Sequence, residues 1–221
     1  MGGGFPVDLV LFGLVAAFLV LRLMSILGKR TGFERPVEPS MAAPLRPAPA
    51  RDQGPVIDAT AQKVGWTLPD PASPIGQTLA AMARVDRSFD PQRFLDGAEA
   101  AFRIIVAAYA AGDRDRLKGL LAPETYGAFE SAITGRESAR EHQQTEIRSV
   151  QMVAIEHADL SGTVATIVVR FVSDQVNQTL AEDGSVVAGT DAVTEITDVW
   201  SFERDLATSD PAWRLVAARS A

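Results

Sequence analysis

The stretch DPQRFLDGAEAAFRIIVAAYAAG (Asp90–Gly112) predicts a long helix with one apolar face. Asp90 is a residue type that caps helix N-termini, and the ring of Pro91 suits the first helical position. The Ala-Gly pair at the far end is typical of a helix stop. The apolar residues that recur at helical spacing are Phe94, Ala98, Phe102, Ile105 and Tyr109. A stripe of this kind has to be buried against another part of the chain.

Shorter helices are predicted on both sides of this one. IGQTLAAMARVD, which begins at Ile75, repeats its apolar residues at helical spacing. On the other side, Asp113 caps a short helix, and Pro123 opens a longer one that fades into a charged run. The apolar positions of these helices are Ile75, Leu79, Met82, Leu117, Leu120, Leu121, Tyr126, Phe129 and Ile133.

From about Thr145 the spacing of the apolar residues changes from helical to alternating. TVATIVVRFVS (Thr163–Ser173) predicts a strand, and Asp183-Gly184 predicts the tip of a hairpin. The residues that share the apolar side of this strand are Ala165, Ile167, Val169 and Phe171. Helices followed by antiparallel strands predict an α+β fold, in which the helices pack on one face of a bent sheet.

The last two predicted strands carry aromatic residues. In TDVWSFERD, Trp200 and Phe202 lie on one face. After a turn at Asp210-Pro211, the final strand is expected to turn Trp213, Leu215 and Ala217 inward. Arg204 and Asp210 flank this last hairpin, and we expect them to form an ion pair across it.

The N-terminal segment VDLVLFGLVAAFLVLRLMSILGKR (Val7–Arg30) predicts a membrane anchor. Leu9–Gly28 is about as long as one bilayer crossing, because Arg22 can extend its charged end toward the interface. No basic side chain precedes the apolar run and no Ala-x-Ala follows it, which disfavours a cleaved signal peptide. Residues 1–30 are therefore expected to form one transmembrane helix. A cleaved signal and a peripheral helix are the alternatives.

The flanking charges predict how this anchor is oriented. Arg22, Lys29 and Arg30 lie at its C-terminal end. Because positive flanks stay on the cytoplasmic side, the N-terminus is expected outside and the C-terminal domain in the cytoplasm. The chain has 18 arginines against 3 lysines, a balance typical of high-GC bacteria. The expected location is therefore the bacterial inner membrane, with a single pass.

Residues 31–75 are expected to be a flexible linker. They contain nine of the 13 prolines and little helical or strand periodicity. Such a composition is typical of an extended, disordered tether. The segment is either a passive spacer or a docking motif in its own right. The folded domain is then expected over residues 76–221.

Charge and composition narrow the functions that the domain can have. Residues 91–221 contain 12 basic and 20 acidic residues, a net charge of −8. An acidic domain repels phosphate backbones, so we expect no nucleic-acid partner. The absence of cysteine excludes disulfides and thiolate sites. The tyrosines and histidines are expected to pack or to lie on the surface, without metal or catalytic spacing: Tyr109, Tyr126, His142 and His157. We expect no cofactor and no enzymatic activity.

Several blocks of the sequence, in order, are similar to one known family. They are FLDGAEAAFRIIVAAYAAGDRDRLKGLLAPETYGAFESAI (Phe94–Ile133), TVATIVVRFVSDQ, DVWSFERD and SDPAWRLVA. Together they resemble, over residues 90–221, the Tim-type import-motor tether domain. This is the C-terminal domain of the forty-four-kilodalton subunit of the mitochondrial inner-membrane translocase. The resemblance implies a non-enzymatic, cone-like α+β domain, related to the nuclear-transport-factor-like fold and containing an apolar pocket.

The family also suggests what the domain does. Its mitochondrial member tethers a chaperone to the translocation channel and contacts cardiolipin membranes. Here the charged N-terminal region of that member is replaced by the predicted anchor and the proline-rich linker. The expected function is therefore a membrane-anchored adaptor that binds a protein partner, such as translocation or membrane-protein biogenesis machinery.

Two other functions remain open at this point. The domain could bind a lipid or a small molecule in its pocket. An isomerase-like enzyme is the third hypothesis, and it would require Tyr109 or His157 to be essential. The residues expected to line the pocket are Phe102, Ile105, Tyr109, Leu121, Phe129, Ile167, Val169, Phe171, Trp200, Phe202 and Trp213.

Overall fold

The structure is a computed structural model that describes residues 65–220. The anchor predicted over residues 1–30 and the linker as far as residue 64 lie outside the described residues. Within residues 65–220, no helix is both long enough and apolar enough to cross a bilayer.

Four helices and five strands make up the regular structure of residues 65–220. In chain order they are β1 (Gly65–Thr67), α1 (Pro74–Val85), α2 (Pro91–Ala111), α3 (Arg114–Leu120), α4 (Pro123–Ser138), β2 (His142–Ser161), β3 (Val164–Leu180), β4 (Val186–Asp205) and β5 (Arg214–Ser220). The helices precede β2 to β5 in the chain, and this order confirms the predicted α+β class.

The predicted helix ends are confirmed by their hydrogen bonds. Asp90 Oδ1 accepts the backbone N–H of Arg93 at 2.8 Å and so caps α2. At the other end, Gly112 adopts a left-handed conformation with φ of 71°, which glycine reaches without strain. Asp113 caps α3 in the same way as Asp90, through the N–H of Arg116 at 3.0 Å.

The five strands form one mixed sheet in the order β1-β2-β3-β4-β5. β2 to β5 pair in antiparallel fashion, as predicted. β1 runs parallel to β2, with Trp66 beside Val153. This short strand lies in the stretch predicted as linker. It forms because the edge of β2 offers unpaired backbone groups, a long-range pairing that local sequence does not reveal.

The inward face of β5 differs from the prediction at one residue. Leu215 is 0% exposed and Ala218 is 2% exposed, whereas the expected Ala217 is only half-buried. Ser201 pairs with Ala217, but Phe202 pairs with Leu215, so Val216 is an extra residue on β5. This β-bulge breaks the alternation of the strand, and it therefore moves the second inward position from residue 217 to residue 218.

The core lies between α2 and the sheet. Phe102 of α2 stacks on Phe171 of β3, with ring centroids 4.5 Å apart. Trp200 of β4 meets Phe102 edge-on at 4.8 Å. All three side chains are buried. The apolar stripe of α2 and the apolar face of β3 therefore form one packed layer, as their sequence patterns predicted.

Candidate functional site

A half-open cavity of about 360 Å³ lies beside the segment that connects β4 to β5. Three parts of the chain line it. They are the first half of α2 with the loop before it, the C-terminal end of α3, and the end of β4 with its connection to β5. Cavities of this size hold small ligands or single side chains of a partner.

Aromatic rings form one part of the lining. Phe94, in the first turn of α2, packs edge-on against Trp213 with ring centroids 4.7 Å apart. Phe89 lies 5.9 Å from Trp213, and Phe202 meets Phe94 edge-on at 6.1 Å. The three phenylalanines are buried, whereas Trp213 is only half-buried. The indole of Trp213 is therefore the aromatic surface that an occupant reaches most easily.

Small residues form another part of the lining. Gly97, Ala98 and Ala101 lie on α2, and Gly119 lies near the end of α3. A Cβ atom added at Gly97 or at Gly119 would meet no other atom within 4 Å. The two helices therefore leave open space between the backbone and the solvent at this point.

A charged pair braces the cavity. Arg204 Nη2 lies 3.0 Å from Asp86 Oδ2, and the two side chains are only 11% and 14% exposed. The hydroxyl and the backbone N–H of Ser88 donate to Asp86 Oδ1 at 2.6 and 2.8 Å. The Ser88 hydrogen bonds, with help from Arg204, lower the pKa of Asp86 below its ordinary value. Asp86 is therefore ionised at neutral pH and keeps Arg204 in place.

The ion pair predicted between Arg204 and Asp210 is wrong. Arg204 donates through Nε to the backbone carbonyl of Asp210 at 3.1 Å, but its charge partner is Asp86. The carboxylate of Asp210 lies 3.5 Å from Arg214 instead. Asp86 follows α1, far from Arg204 in sequence, so residue spacing could not indicate this pair. With Asp90 engaged as a helix cap, the cavity offers mainly apolar surface to an occupant.

The structure places nine of the eleven predicted pocket residues in the packed interior. Each of these nine is at most 5% exposed: Phe102, Ile105, Tyr109, Leu121, Phe129, Ile167, Val169, Phe171 and Trp200. The other two, Phe202 and Trp213, line the cavity. These nine residues are in the core because α2 lies directly on the sheet, and the apolar face of α2 fills the space between helix and sheet. The open volume is left beside the β4–β5 connection.

Some lining residues were missed by the sequence reasoning. Phe89, Gly97, Ala101 and Gly119 all contribute to the cavity. Gly97 and Ala101 are four residues apart and so lie on one face of α2. Two small residues at this spacing are the sequence signal that could have indicated a groove along the helix.

The tyrosines and histidines lie away from the cavity lining. Tyr109 is buried, and the guanidinium of Arg136 lies 4.9 Å from its ring centroid. The hydroxyl of Tyr126 donates to Glu130 Oε1 at 3.2 Å. Desolvation is the main cause that raises the pKa of the Tyr126 hydroxyl. His142 and His157 are exposed. Among residues 65–220, no three acidic or histidine side chains are close enough together to hold a metal ion.

A second cluster, on the inner face of β3, is polar. Beyond Phe171 the buried positions change to Ser173, Gln175 and Asn177. Gln175 Nε2 donates to Ser173 Oγ at 2.8 Å, and Asn177 Nδ2 donates to Gln175 Oε1 at 3.2 Å. These hydrogen bonds link the three side chains to one another, while the Oδ1 atom of Asn177 is buried and accepts no hydrogen bond from residues 65–220. Buried amides and hydroxyls that bond to one another help to specify the packing of a sheet. We therefore assign this cluster a structural role.

The structure is similar to several solved structures at low identity. The intermembrane space region of the chloroplast protein ARC6 is 11% identical, with a TM-score of 0.43, over 60% of this chain and 96% of that one. A dehydratase-like protein of the NTF2-like family from Streptomyces avermitilis is 15% identical, with a TM-score of 0.37, over 59% and 97%. TsrD from Streptomyces laurentii is 14% identical, with a TM-score of 0.27, over 61% and 90%.

Sequence comparison identifies the family. No curated protein is significantly similar to this sequence. Residues 75–220 match the Tim44-like domain, and this match covers more than half of the chain. It extends from the start of α1 to the end of β5, so it includes all the elements that line the cavity. The chain therefore belongs to the Tim44-like domain family.

Proposed function

We propose that this chain is a non-enzymatic, membrane-anchored adaptor whose Tim44-like domain binds a protein partner at the cavity. Tim44-like domains are associated with membrane-related protein interactions. The observation that carries the proposal is the chemistry of the cavity. Its accessible surface is mainly apolar and aromatic around Trp213. The exposed Arg93 also lines it, while Asp90 and Arg204 are engaged in structural contacts.

The lining of the cavity suits an apolar anchor residue from a partner. Side chains that enter well-packed, desolvated pockets supply most of the binding energy of an interface, and Trp is enriched among them. Trp213 is held by Phe94 and Phe89, so its ring is already oriented before a partner binds. A rigid aromatic surface loses little conformational entropy on binding, which favours affinity.

Photo-crosslinking tests this proposal. A benzophenone amino acid at Gly119 would project into open space at the cavity, because no atom lies within 4 Å of a Cβ there. We expect ultraviolet irradiation of cells to give a discrete adduct between the full chain and a protein from this position. The matched control is Val187, which is 50% exposed at the other end of β4 and should give no such adduct. Equal adducts from both positions, or none from Gly119, would contradict the proposal.

A lipid or a small molecule is the second candidate occupant. The cavity volume of about 360 Å³ favours it, since ligand sites commonly measure about 300–1,000 Å³. Native mass spectrometry of the full chain released from detergent separates the two functions. A bound non-protein mass that disappears in Trp213→Ala supports the ligand, whereas a bare chain together with a Gly119 adduct supports the protein partner.

We also propose that the domain faces the cytoplasm of a bacterial cell. The proposal rests on the basic residues at the C-terminal end of the predicted anchor. Because the chain has no cysteine, Ser131→Cys on the exposed surface of α4 introduces a single thiol. We expect a membrane-impermeant maleimide to label it only after the inner membrane is broken. Labelling in intact spheroplasts would place the domain outside the cytoplasm.

A further inference from the structure

We propose that the cavity also binds a segment of its own chain, the basic proline-rich sequence PLRPAP (Pro44–Pro49), which a partner must displace. This inference rests on the proposed function, since it adds a form of regulation to the same site. Pro44–Pro49 lies outside the described residues, so the argument comes from the chemistry of the cavity, the sequence of the segment and the reach of the linker.

The cavity has the chemistry that recognises proline-rich peptides. Such peptides dock in aromatic-lined grooves, where their rings pack against aromatic faces. Here Trp213 is the accessible ring, with Phe89 and Phe94 behind it and Pro211 beside it. The indole N–H of Trp213 donates to no group among residues 65–220 and is not closed off from solvent. It can therefore donate to a peptide carbonyl, because proline-rich segments have carbonyls without internal partners.

The spacing of the prolines in Pro44–Pro49 suits binding to such an aromatic groove. Polyproline II has three residues per turn, so Pro44 and Pro47 lie on one face of such a helix. Leu45 adds an apolar side chain, and Arg46 adds a positive charge. The backbone of a proline-rich segment is already restricted, so its ordering on binding costs less entropy than that of an ordinary linker.

Charge distinguishes this segment from the proline pair that precedes it in the linker. Residues 39–51 contain Arg46 and Arg51 and no acidic residue. The earlier pair, Pro36 and Pro39, encloses Glu38. Residues 91–221 carry a net charge of −8, which attracts the basic segment to the domain at long range and repels the acidic one, while the cavity lining itself contains Arg93 and Arg204 beside Asp90. The expected occupant is therefore Pro44–Pro49 and not the segment before it.

The linker is long enough to bring the segment to the cavity. The described chain begins at Gly65 on the edge of β2, and α1 then extends for about 18 Å before the loop that lines the cavity. The residues between Pro49 and Gly65 span up to roughly 50 Å when extended. A tethered segment of this length has an effective concentration in the millimolar range, so even a weak contact competes with a partner.

Disulfide trapping in the full chain, purified in detergent, tests this contact. Gly97→Cys places a thiol at the cavity, and Ala48→Cys places one in the segment. With a mild oxidant, we expect this pair to form a disulfide about tenfold faster than Val187→Cys with Ala48→Cys, because docking raises the local concentration. Pro44→Ala with Pro47→Ala should reduce the rate to the control value, whereas Pro36→Ala with Pro39→Ala should leave it unchanged. Equal rates at Gly97 and Val187, or a rate insensitive to Pro44 and Pro47, would overturn the contact.

The disulfide test of the linker contact and the photo-crosslinking test of the adaptor function can fail independently of each other. If no preferential disulfide forms but the Gly119 probe still captures a protein, the linker contact is wrong and the adaptor function stands. If the disulfide forms but no partner adduct appears even after Pro44→Ala and Pro47→Ala, the adaptor function is wrong and the contact stands. If both hold, the two proline substitutions should increase the yield of the Gly119 adduct.

Discussion

Phe102→Ala is expected to lower the free energy of unfolding by about 3–5 kcal/mol, the usual cost of truncating a buried aromatic residue. Phe102 is 0% exposed. It stacks on Phe171 at 4.5 Å and meets Trp200 edge-on at 4.8 Å, so its loss leaves both rings without their partner on α2. Domains are typically stable by about 5–15 kcal/mol, so this one change removes a large share of the total.

Urea denaturation of the full chain, followed by tryptophan fluorescence, measures the effect. The matched control is Ile104→Ala, two residues away on the same helix, where the side chain is 39% exposed. We expect the control to cost less than about 1 kcal/mol, as is usual for partly exposed surface positions. A similar loss in the two variants would show that the helix does not pack on the sheet through Phe102.

Much of this fold could be predicted from local sequence. The stripe of α2 repeats over many turns and is bounded by Asp90 and Gly112, so period and caps point to the same helix. The alternation in β3 is equally regular and has no bulge within its apolar half. Where several local signals agree over a long segment, tertiary contacts rarely change the secondary structure that they predict.

The features that could not be predicted depend on distant parts of the chain. The bulge at Val216 follows from how β5 pairs with β4, and β1 forms only because β2 has an open edge. The partner of Arg204 is Asp86, which reaches it through the packing of the loop after α1. In each case the deciding contact joins residues that no local spacing relates.

The candidate site shows the same limit. The sequence pattern predicted correctly which apolar residues face inward. Most inward-facing residues pack in a close-packed core, however, and only a few line a cavity. Phe202 and Trp213 reach the cavity because they lie beside the β4–β5 connection, where the helices leave space. Gly97 and Gly119 contribute by having no side chain, a signal that is easily overlooked when apolar residues are sought.

Trp213→Ala is expected to weaken partner binding by about 30-fold, because truncating an aromatic anchor at the centre of an interface commonly costs at least about 2 kcal/mol. The indole is the accessible ring of the cavity, and the buried rings of Phe89 and Phe94 cannot replace its contact area. Trp66→Ala is the matched control, since Trp66 is 43% exposed on β1 and does not line the cavity.

A second variant separates lost binding from lost folding. Gly97→Leu adds an apolar side chain at the mouth of the cavity, where a Cβ meets no atom within 4 Å. It removes no existing contact, and replacing glycine inside a helix favours the helix. It should therefore block the cavity while the free energy of unfolding stays equal to or above that of the parent chain.

The most direct test of the adaptor proposal is the yield of the Gly119 photo-adduct in cells that carry Trp213→Ala, Gly97→Leu or Trp66→Ala. Urea denaturation of each purified variant establishes that it is folded. We predict that Trp213→Ala and Gly97→Leu strongly reduce the yield of the adduct with the partner and that Trp66→Ala preserves it. An adduct that persists at full yield in folded Trp213→Ala and Gly97→Leu would show that the cavity is not where the partner binds.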